Sequence, residues 1–323
     1  MKREESASFT AASVFPAKLL GMKFKDGIIP PVHVQLNPTN ICNLNCPFCS
    51  CANRNKTESL PLEKAKEIMV SFKVLGCESV TITGGGEPLL HPEIDELLEM
   101  IHNIGIEIGL VTNGTAFDKV KPENLNKIIW CRISHADHRP FTKEYQKSLG
   151  DAILKAQGVD WAFSYVIGKN PNYDTLQKVI EFANFYEFTH VRIVSDLLDL
   201  RHCPDIFAVE EEMKKRGVDD RIVIYQGRKR FLRGCKDCWI SLLKPVVSAT
   251  GELFPCCATQ YTTFEPELDY GPKMKWGDSK DIVKIWKDQI PFDGSKRCVR
   301  CYYMDYNKAL SIMKTPLKHK KFL

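Results

Sequence analysis

The feature that most limits the fold of this chain is an alternation. From residue 32 to about 195, β-rich runs and helical runs take turns without a break. The strand runs read PVHVQLN, CESVTIT, IEIGLVTNG, IIWCRIS, WAFSYVIG and THVRIVS, each separated from the next by helical material. In LPLEKAKEIMVSFKVLG the apolar residues Ile68, Met69, Phe72 and Leu75 recur at helical spacing. HPEIDELLEMIHNIG opens on a proline and an acidic first turn, as helices do. Strands alternating with helices imply parallel βα units joined by right-handed crossovers. Six such units make a partial barrel or an open α/β sheet.

The chain has 323 residues, room for one large or two smaller domains at ~150 residues each. It divides into an extension over 1–31, an α/β core over 32–200, a connecting helix (DIFAVEEEMKKRG) and strand (RIVIYQ) over 201–234, and a short, irregular, cysteine-rich part over 235–323. No run approaches the ~18 apolar residues of a membrane helix, and the first residues lack the pattern of a signal peptide. A soluble, cytoplasmic protein is expected. Thiols stay reduced there, so clustered cysteines point to metal binding or catalysis rather than disulfides; thirteen cysteines is also an odd number. The net charge of +5 is mild, below what a nucleic-acid stripe needs. Two basic runs, GRKRFLR (227–233) and LKHKKFL (317–323), read as solvated surface, although Arg228 to Arg233 would also attract an anionic substrate.

CNLNCPFCSC, residues 42–51, follows the first strand. Its cysteines therefore lie at the carboxyl edge of the parallel sheet, where barrels place their chemistry. Cys42, Cys46 and Cys49 are spaced C-x3-C-x2-C, with Phe48 before the last; Cys51 is poorly placed to bend back onto the same metal. Three thiolates on an iron–sulfur cubane leave one iron open to another ligand. TGGGEPLLHP follows the second strand, and a glycine-rich turn there lets backbone come close to a ligand.

These two motifs, in this order, resemble the radical S-adenosylmethionine superfamily. The resemblance implies a partial (β/α)6 TIM-like barrel whose Cys42, Cys46 and Cys49 hold a [4Fe–4S] cluster. It further implies that the cluster's open iron binds S-adenosylmethionine and that Gly85, Gly86, Glu87 and Pro88 line the cofactor. An electron donor such as a flavodoxin or ferredoxin follows. Thr112 and Asn113, ending the third strand, would face the adenosyl group, with Phe48 beside it. Ser134, closing the fourth, would contact the ribose; Arg192, on the sixth, is read as a core-edge ion pair.

The C-terminal cysteines extend the resemblance. Cys238-x12-Gly251-x4-Cys256 followed by Cys298-x2-Cys301 is similar to the twitch domain, the short form of the SPASM extension. It implies a second, auxiliary [4Fe–4S] cluster on Cys238, Cys256, Cys298 and Cys301. Cys235 and Cys257 stand close enough in sequence to substitute, and the pairs 235/238 and 298/301 also spell a zinc ribbon. The implied chemistry is hydrogen abstraction by a 5′-deoxyadenosyl radical, with net oxidation through the auxiliary cluster. A redox-neutral epimerase or isomerase would instead need a thiol donor among Cys51, Cys131, Cys203 and Cys257. A zinc-containing nucleic-acid binder would explain the C-terminus but neither loop of the barrel. Substrates from peptides to small molecules fit the sequence.

Overall fold

The computed structural model describes Phe24, residues 27–226, 232–257, 274–299, Cys301 and residues 303–314. Most of the 1–31 extension, Gly227 to Phe231 of the first basic run and all of the second lie outside the described residues.

Seven parallel strands follow one another in chain order: β1 (His33–Leu36), β2 (Ser79–Ile82), β3 (Glu107–Thr112), β4 (Ile128–Ala136), β5 (Asp160–Ile167), β6 (His190–Ser195) and β7 (Val223–Gln226). The principal crossovers are helices α1 (Leu62–Val74), α2 (Ile94–Asn103), α3 (Lys143–Lys155), α4 (Tyr173–Phe185) and α5 (Ile206–Lys215). The six expected strands are present, and the fold is the expected partial barrel. The segment read as a connector is a seventh βα step, because β7 pairs parallel to β6 from Val191↔Val223 to Val194↔Gln226.

The C-terminal part does not form a separate sheet. β8 (Val246–Val247) runs parallel to β1, and β9 (Glu252–Phe254) and β10 (Gly277–Asp278) continue outward as antiparallel strands. One ten-stranded sheet thus spans both regions.

Strand alternation divides this sheet into two faces. Val34 and Leu36, Val80 and Ile82, Phe163 and Tyr165, and Val191 and Ile193 pack into the main apolar core. The intervening positions carry His33, Gln35, Thr81, Arg132, Ser134, Ser164 and Arg192. The lumen side is therefore polar. His33 ties β1 to β2 there, its Nδ1 bonded to Ser79 Oγ and its Nε2 to Thr81 Oγ1, each at 2.9 Å.

On the other face α1 buries Ala65, Ile68, Met69 and Phe72, and a fully buried side chain of this size contributes roughly 2–3 kcal/mol. The ring of Phe72 meets Trp286 edge-on at 5.2 Å. Trp286 lies in α6 (Ile282–Lys287), and its indole N–H donates to the Leu242 carbonyl at 2.9 Å. This contact seats the C-terminal segment on the first barrel helix.

Candidate functional site

Beyond β1 the chain enters the loop that holds Cys42, Cys46 and Cys49, all half-buried. The Cys49 N–H donates to the Cys46 carbonyl at 3.1 Å, and the Leu44 N–H lies 3.4 Å from Cys42 Sγ. Burial, then the negative charge of thiolates at Cys49 and Cys42, pushes the Cys46 thiol up to about 11. The thiols at 42, 46 and 49 are thus electrostatic neighbours. Bound to metal they would give up their protons.

Cys51 takes another course. It is buried, its Sγ lies 4.0 Å from the Gly84 carbonyl and 3.9 Å from Ser50 Oγ, and burial pushes its thiol up to about 12.

Arg54 holds the loop in this shape, and sequence reading missed it. The buried guanidinium donates from Nε to the Asn40 carbonyl at 2.8 Å and from Nη1 to the Cys51 carbonyl at 2.7 Å, with Nη1 also 3.6 Å from Cys49 Sγ. The only signal in the sequence was an arginine three residues past the last cysteine of the loop.

The glycine-rich turn does its packing on this same loop. The Gly86 N–H donates to the Thr39 carbonyl at 2.9 Å, and the Glu87 N–H to the Ile41 carbonyl at 2.8 Å. A Cβ on Gly86 would stand 2.1 Å from the Ile41 carbonyl oxygen, and one on Gly85 would stand 2.0 Å from Asn40 Oδ1. The close approach for which glycine is required here is to the residues leading into Cys42.

Glu87 is 2 % exposed, and both its oxygens are engaged. Oε1 accepts from Thr112 Oγ1 at 2.6 Å and from the Leu89 N–H at 3.1 Å; Oε2 accepts from the Asn113 N–H at 2.7 Å. Burial pushes its pKa up, opposed by these three donors. The buried hydroxyl of Thr112 is used as well, accepting from the Gly114 N–H at 3.0 Å. The Asn113 amide returns to the cysteine loop, donating to Asn43 Oδ1 at 3.0 Å. The expected residues at the ends of β2 and β3 are therefore brought together, with the Glu87 and Thr112 side chains as braces and the exposed Asn43–Asn113 pair at the rim.

Phe48 and His138, from the cysteine loop and the turn after β4, meet edge-on at 5.3 Å. Ser134 pairs in register with Ser164, and Ser164 with Arg192. Arg192 Nη2 donates to Ser164 Oγ at 2.9 Å, which holds its guanidinium on the polar lumen side of the sheet.

Four C-terminal cysteines come together. Cys238 has Cys235, Cys301 and Cys298 as its charged neighbours, and burial pushes the thiols of Cys238 and Cys298 up to about 12. Cys256, also expected among them, lies two residues beyond the end of β9. The β8–β9 hairpin pairs Val246 with Phe254, and Lys244, just before β8, has Cys257 and Cys256 among its electrostatic neighbours. Cys257 is exposed, with its Sγ 3.4 Å from the Tyr303 hydroxyl. Among the described residues no three His, Cys, Asp or Glu side chains are grouped so as to hold a single metal ion, and no helix is long and apolar enough to cross a membrane.

Residues 36–137, from the last residue of β1 to the turn after β4, match the Radical SAM superfamily. This chain carries a radical SAM domain. The C-x3-C-x2-C loop, the glycine-rich turn and the ends of β3 and β4 all fall inside it. Similar proteins extend beyond the domain. GTP 3′,8-cyclase of Aquifex aeolicus (strain VF5) is 26% identical over 314 residues, covering 82% of this chain and 92% of that protein. A probable GTP 3′,8-cyclase of Methanothermobacter thermautotrophicus is 32% identical over 192 residues, covering 54% of this chain and 61% of that protein. Among solved structures, Streptococcus suis SuiB bound to its precursor peptide SuiA superposes with a TM-score of 0.61 at 18% identity, over 85% of this chain and 68% of that one. Native anSMEcpe with bound AdoMet and a peptide gives 0.53 at 15% identity, over 91% of this chain and 86% of that one. These structures establish the shared fold of the radical SAM domain and of the segment that follows it.

Proposed function

We propose that this radical SAM enzyme carries out a net oxidation, using a [4Fe–4S] cluster at Cys42, Cys46 and Cys49 and an auxiliary [4Fe–4S] cluster in the C-terminal cysteine region. The observation that carries the reading is the donor set in the first loop. The thiols of Cys42, Cys46 and Cys49 are electrostatic neighbours, a buried guanidinium lies against one of them, and the fourth cysteine of the loop is withdrawn into the core. Soft thiolates suit iron–sulfur clusters, and three of them leave an iron for S-adenosylmethionine. When bound, the pair supplies a 5′-deoxyadenosyl radical that takes hydrogen from an unactivated C–H.

The chain's own residues hold and shield that chemistry. Arg54 fixes the thiol loop, and Glu87 locks the glycine turn to the end of β3. Gly85, Gly86, Pro88, Asn113, Phe48 and Ser134 frame the cofactor. The polar lumen with Arg132, Ser164 and Arg192 receives the substrate, a peptide or small molecule with an anionic group. A cytoplasmic flavodoxin or ferredoxin is the electron source, and a cluster saturated by four thiolates would accept the substrate radical's electron.

The relatives named GTP 3′,8-cyclase favour a second reading, cyclisation of GTP without net oxidation. Anaerobic turnover in D2O, with reductant, S-adenosylmethionine and either GTP or a candidate peptide, separates the two. A product two hydrogens lighter than its substrate supports oxidation. A product isobaric with GTP, or one of unchanged formula carrying deuterium at carbon, rejects it.

A further inference from the structure

We infer that Arg54 is the built-in counter-charge of the first cluster: its guanidinium offsets the cluster's negative charge, donates to one of its sulfurs, and so raises the potential at which the cluster accepts an electron. The inference rests on the reading of Cys42, Cys46 and Cys49 as cluster ligands.

A guanidinium stays protonated in proteins, and burying its charge is costly unless an opposite charge answers it. Arg54 is 7 % exposed. Two backbone carbonyls, those of Asn40 and Cys51, hold its Nε and Nη1, and Nη1 also reaches Cys49 Sγ at 3.6 Å. Among the described residues no carboxylate forms an ion pair with it. Glu58, from the same loop, accepts instead from the Asn40 and Asn55 amides at 2.9 and 3.1 Å. Glu87 is taken up by Thr112, Leu89 and Asn113. Neutral carbonyls orient the fork but leave its charge unanswered.

The fold reserves the place. A Cβ on Gly85 would stand 3.3 Å from Arg54 Cδ as well as 2.0 Å from Asn40 Oδ1, so the glycine turn closes over the arginine stem as it closes over the loop. Cys42 and Cys46 have the guanidinium among their charged neighbours too, so its charge reaches beyond the direct contact at Cys49. Three thiolates make the site an anion. A one-electron reduction, with the electron drawn from a donor of the flavodoxin or ferredoxin class, adds a further negative charge and needs no bond or proton to change. A fixed cation favours the more negative, reduced state, and an N–H···S bond does so at the sulfur itself. The consequence is a cluster that a donor of that class can reduce.

The test is the midpoint potential of the first cluster in anaerobic full-length protein, followed by EPR on the signal that is absent when Cys42, Cys46 and Cys49 are changed to Ala. In Arg54→Gln the ratio of reduced to oxidised cluster at a fixed poise should fall about tenfold, the size of one charge-assisted hydrogen bond; for a one-electron couple that is about 59 mV. Arg54→Lys keeps the charge and should recover most of the shift, which a merely structural role would not produce. An Arg54→Gln protein that retains its iron and its wild-type midpoint overturns the inference, as does an Arg54→Lys protein shifted as far as Arg54→Gln. A measurement free of folding effects uses wild-type protein labelled with guanidino-15N arginine and pulsed EPR of the reduced first cluster. A weak 15N coupling from the nitrogen on Cys49 Sγ is expected, and its absence overturns the inference. Wild-type protein with no signal that depends on Cys42, Cys46 and Cys49 would overturn the cluster reading itself rather than the role of Arg54.

Discussion

The two cysteine regions gather their thiols by opposite routes. The loop over 42–51 gathers its thiols within eight residues and hangs them from one strand end. Its precision comes from outside: the glycine turn after β2, Glu87, the end of β3 and Arg54 all press on it. The C-terminal Cys235, Cys238, Cys298 and Cys301 lie on two turns from distant parts of the chain that clasp each other through the backbone, the Gly234 N–H donating to the Cys298 carbonyl at 2.8 Å and the Gly294 N–H to the Cys235 carbonyl at 2.9 Å. A local loop braced by a barrel should survive damage elsewhere in the chain, whereas a clasp should fail if either half is lost.

The sharpest way to break the first half of this comparison is Gly86→Ala. The added methyl meets a backbone carbonyl at 2.1 Å, so the turn or the cysteine loop must move. A destabilisation of about 4 kcal/mol is expected, at the upper end for overpacking and strain, with iron lost from the first site. Thermal denaturation and iron analysis check it; an unperturbed melting temperature would mean that the turn does not brace the loop.

Glu87→Ala should cost somewhat less. It strands the Thr112 hydroxyl and the Asn113 N–H in a buried place, and each unsatisfied group costs roughly 1–3 kcal/mol. Chemical denaturation should show a loss of about 3 kcal/mol, while the clasp, remote from β3, keeps its iron.

A pH effect also belongs to the barrel alone. His135 on β4 is buried among the rings of Phe141, Tyr145 and Tyr165 at 5.3, 5.9 and 5.8 Å. Burial, then the charges of Arg139 and His138, lowers its pKa to about 3. The native imidazole stays neutral while the unfolded one takes a proton below its ordinary pKa of about 6.5. Stability is therefore lost as pH falls below that value, by about 2 kcal/mol between pH 7 and pH 5. His135→Phe should flatten this slope in melting curves. Residues 203–318 contain no histidine, so the clasp contributes nothing to it.

The smallest effect is expected from Cys51→Ala. Loss of one buried sulfur costs about 1 kcal/mol, but iron content and 5′-deoxyadenosine formation should stay at the wild-type level. A cluster lost on this change would mean that the loop holds four ligands.

The same contrast explains what could be read in advance. The alternation of strands and helices was legible because β5, for example, is buried almost throughout, as a covered parallel strand must be, and reads as WAFSYVI. The first loop was legible because its residues are contiguous and its edge of the sheet follows from strand order. Arg54 was not, since nothing in the sequence states that a guanidinium folds back on Asn40 and Cys51. Glu87 was found, but its brace to Thr112 and Asn113 needed the register of β2 beside β3. The surroundings of Cys238 were half legible: the Cys-x2-Cys pairs stand out, but the bonds from the Cys238 N–H to the Phe292 carbonyl and from the Cys301 N–H to the Leu232 carbonyl, which bring the two turns together, needed the fold.

The central claim is that the three cysteines of the barrel loop, independently of the clasp, support radical formation. Wild-type protein and the variant with Cys42, Cys46 and Cys49 all changed to Ala are reduced anaerobically with dithionite and given S-adenosylmethionine. Iron and 5′-deoxyadenosine are then quantified. The account predicts about eight irons and steady 5′-deoxyadenosine for the wild type, and about four irons with no 5′-deoxyadenosine for the variant. A variant that still cleaves S-adenosylmethionine, or one that loses all of its iron, would contradict it.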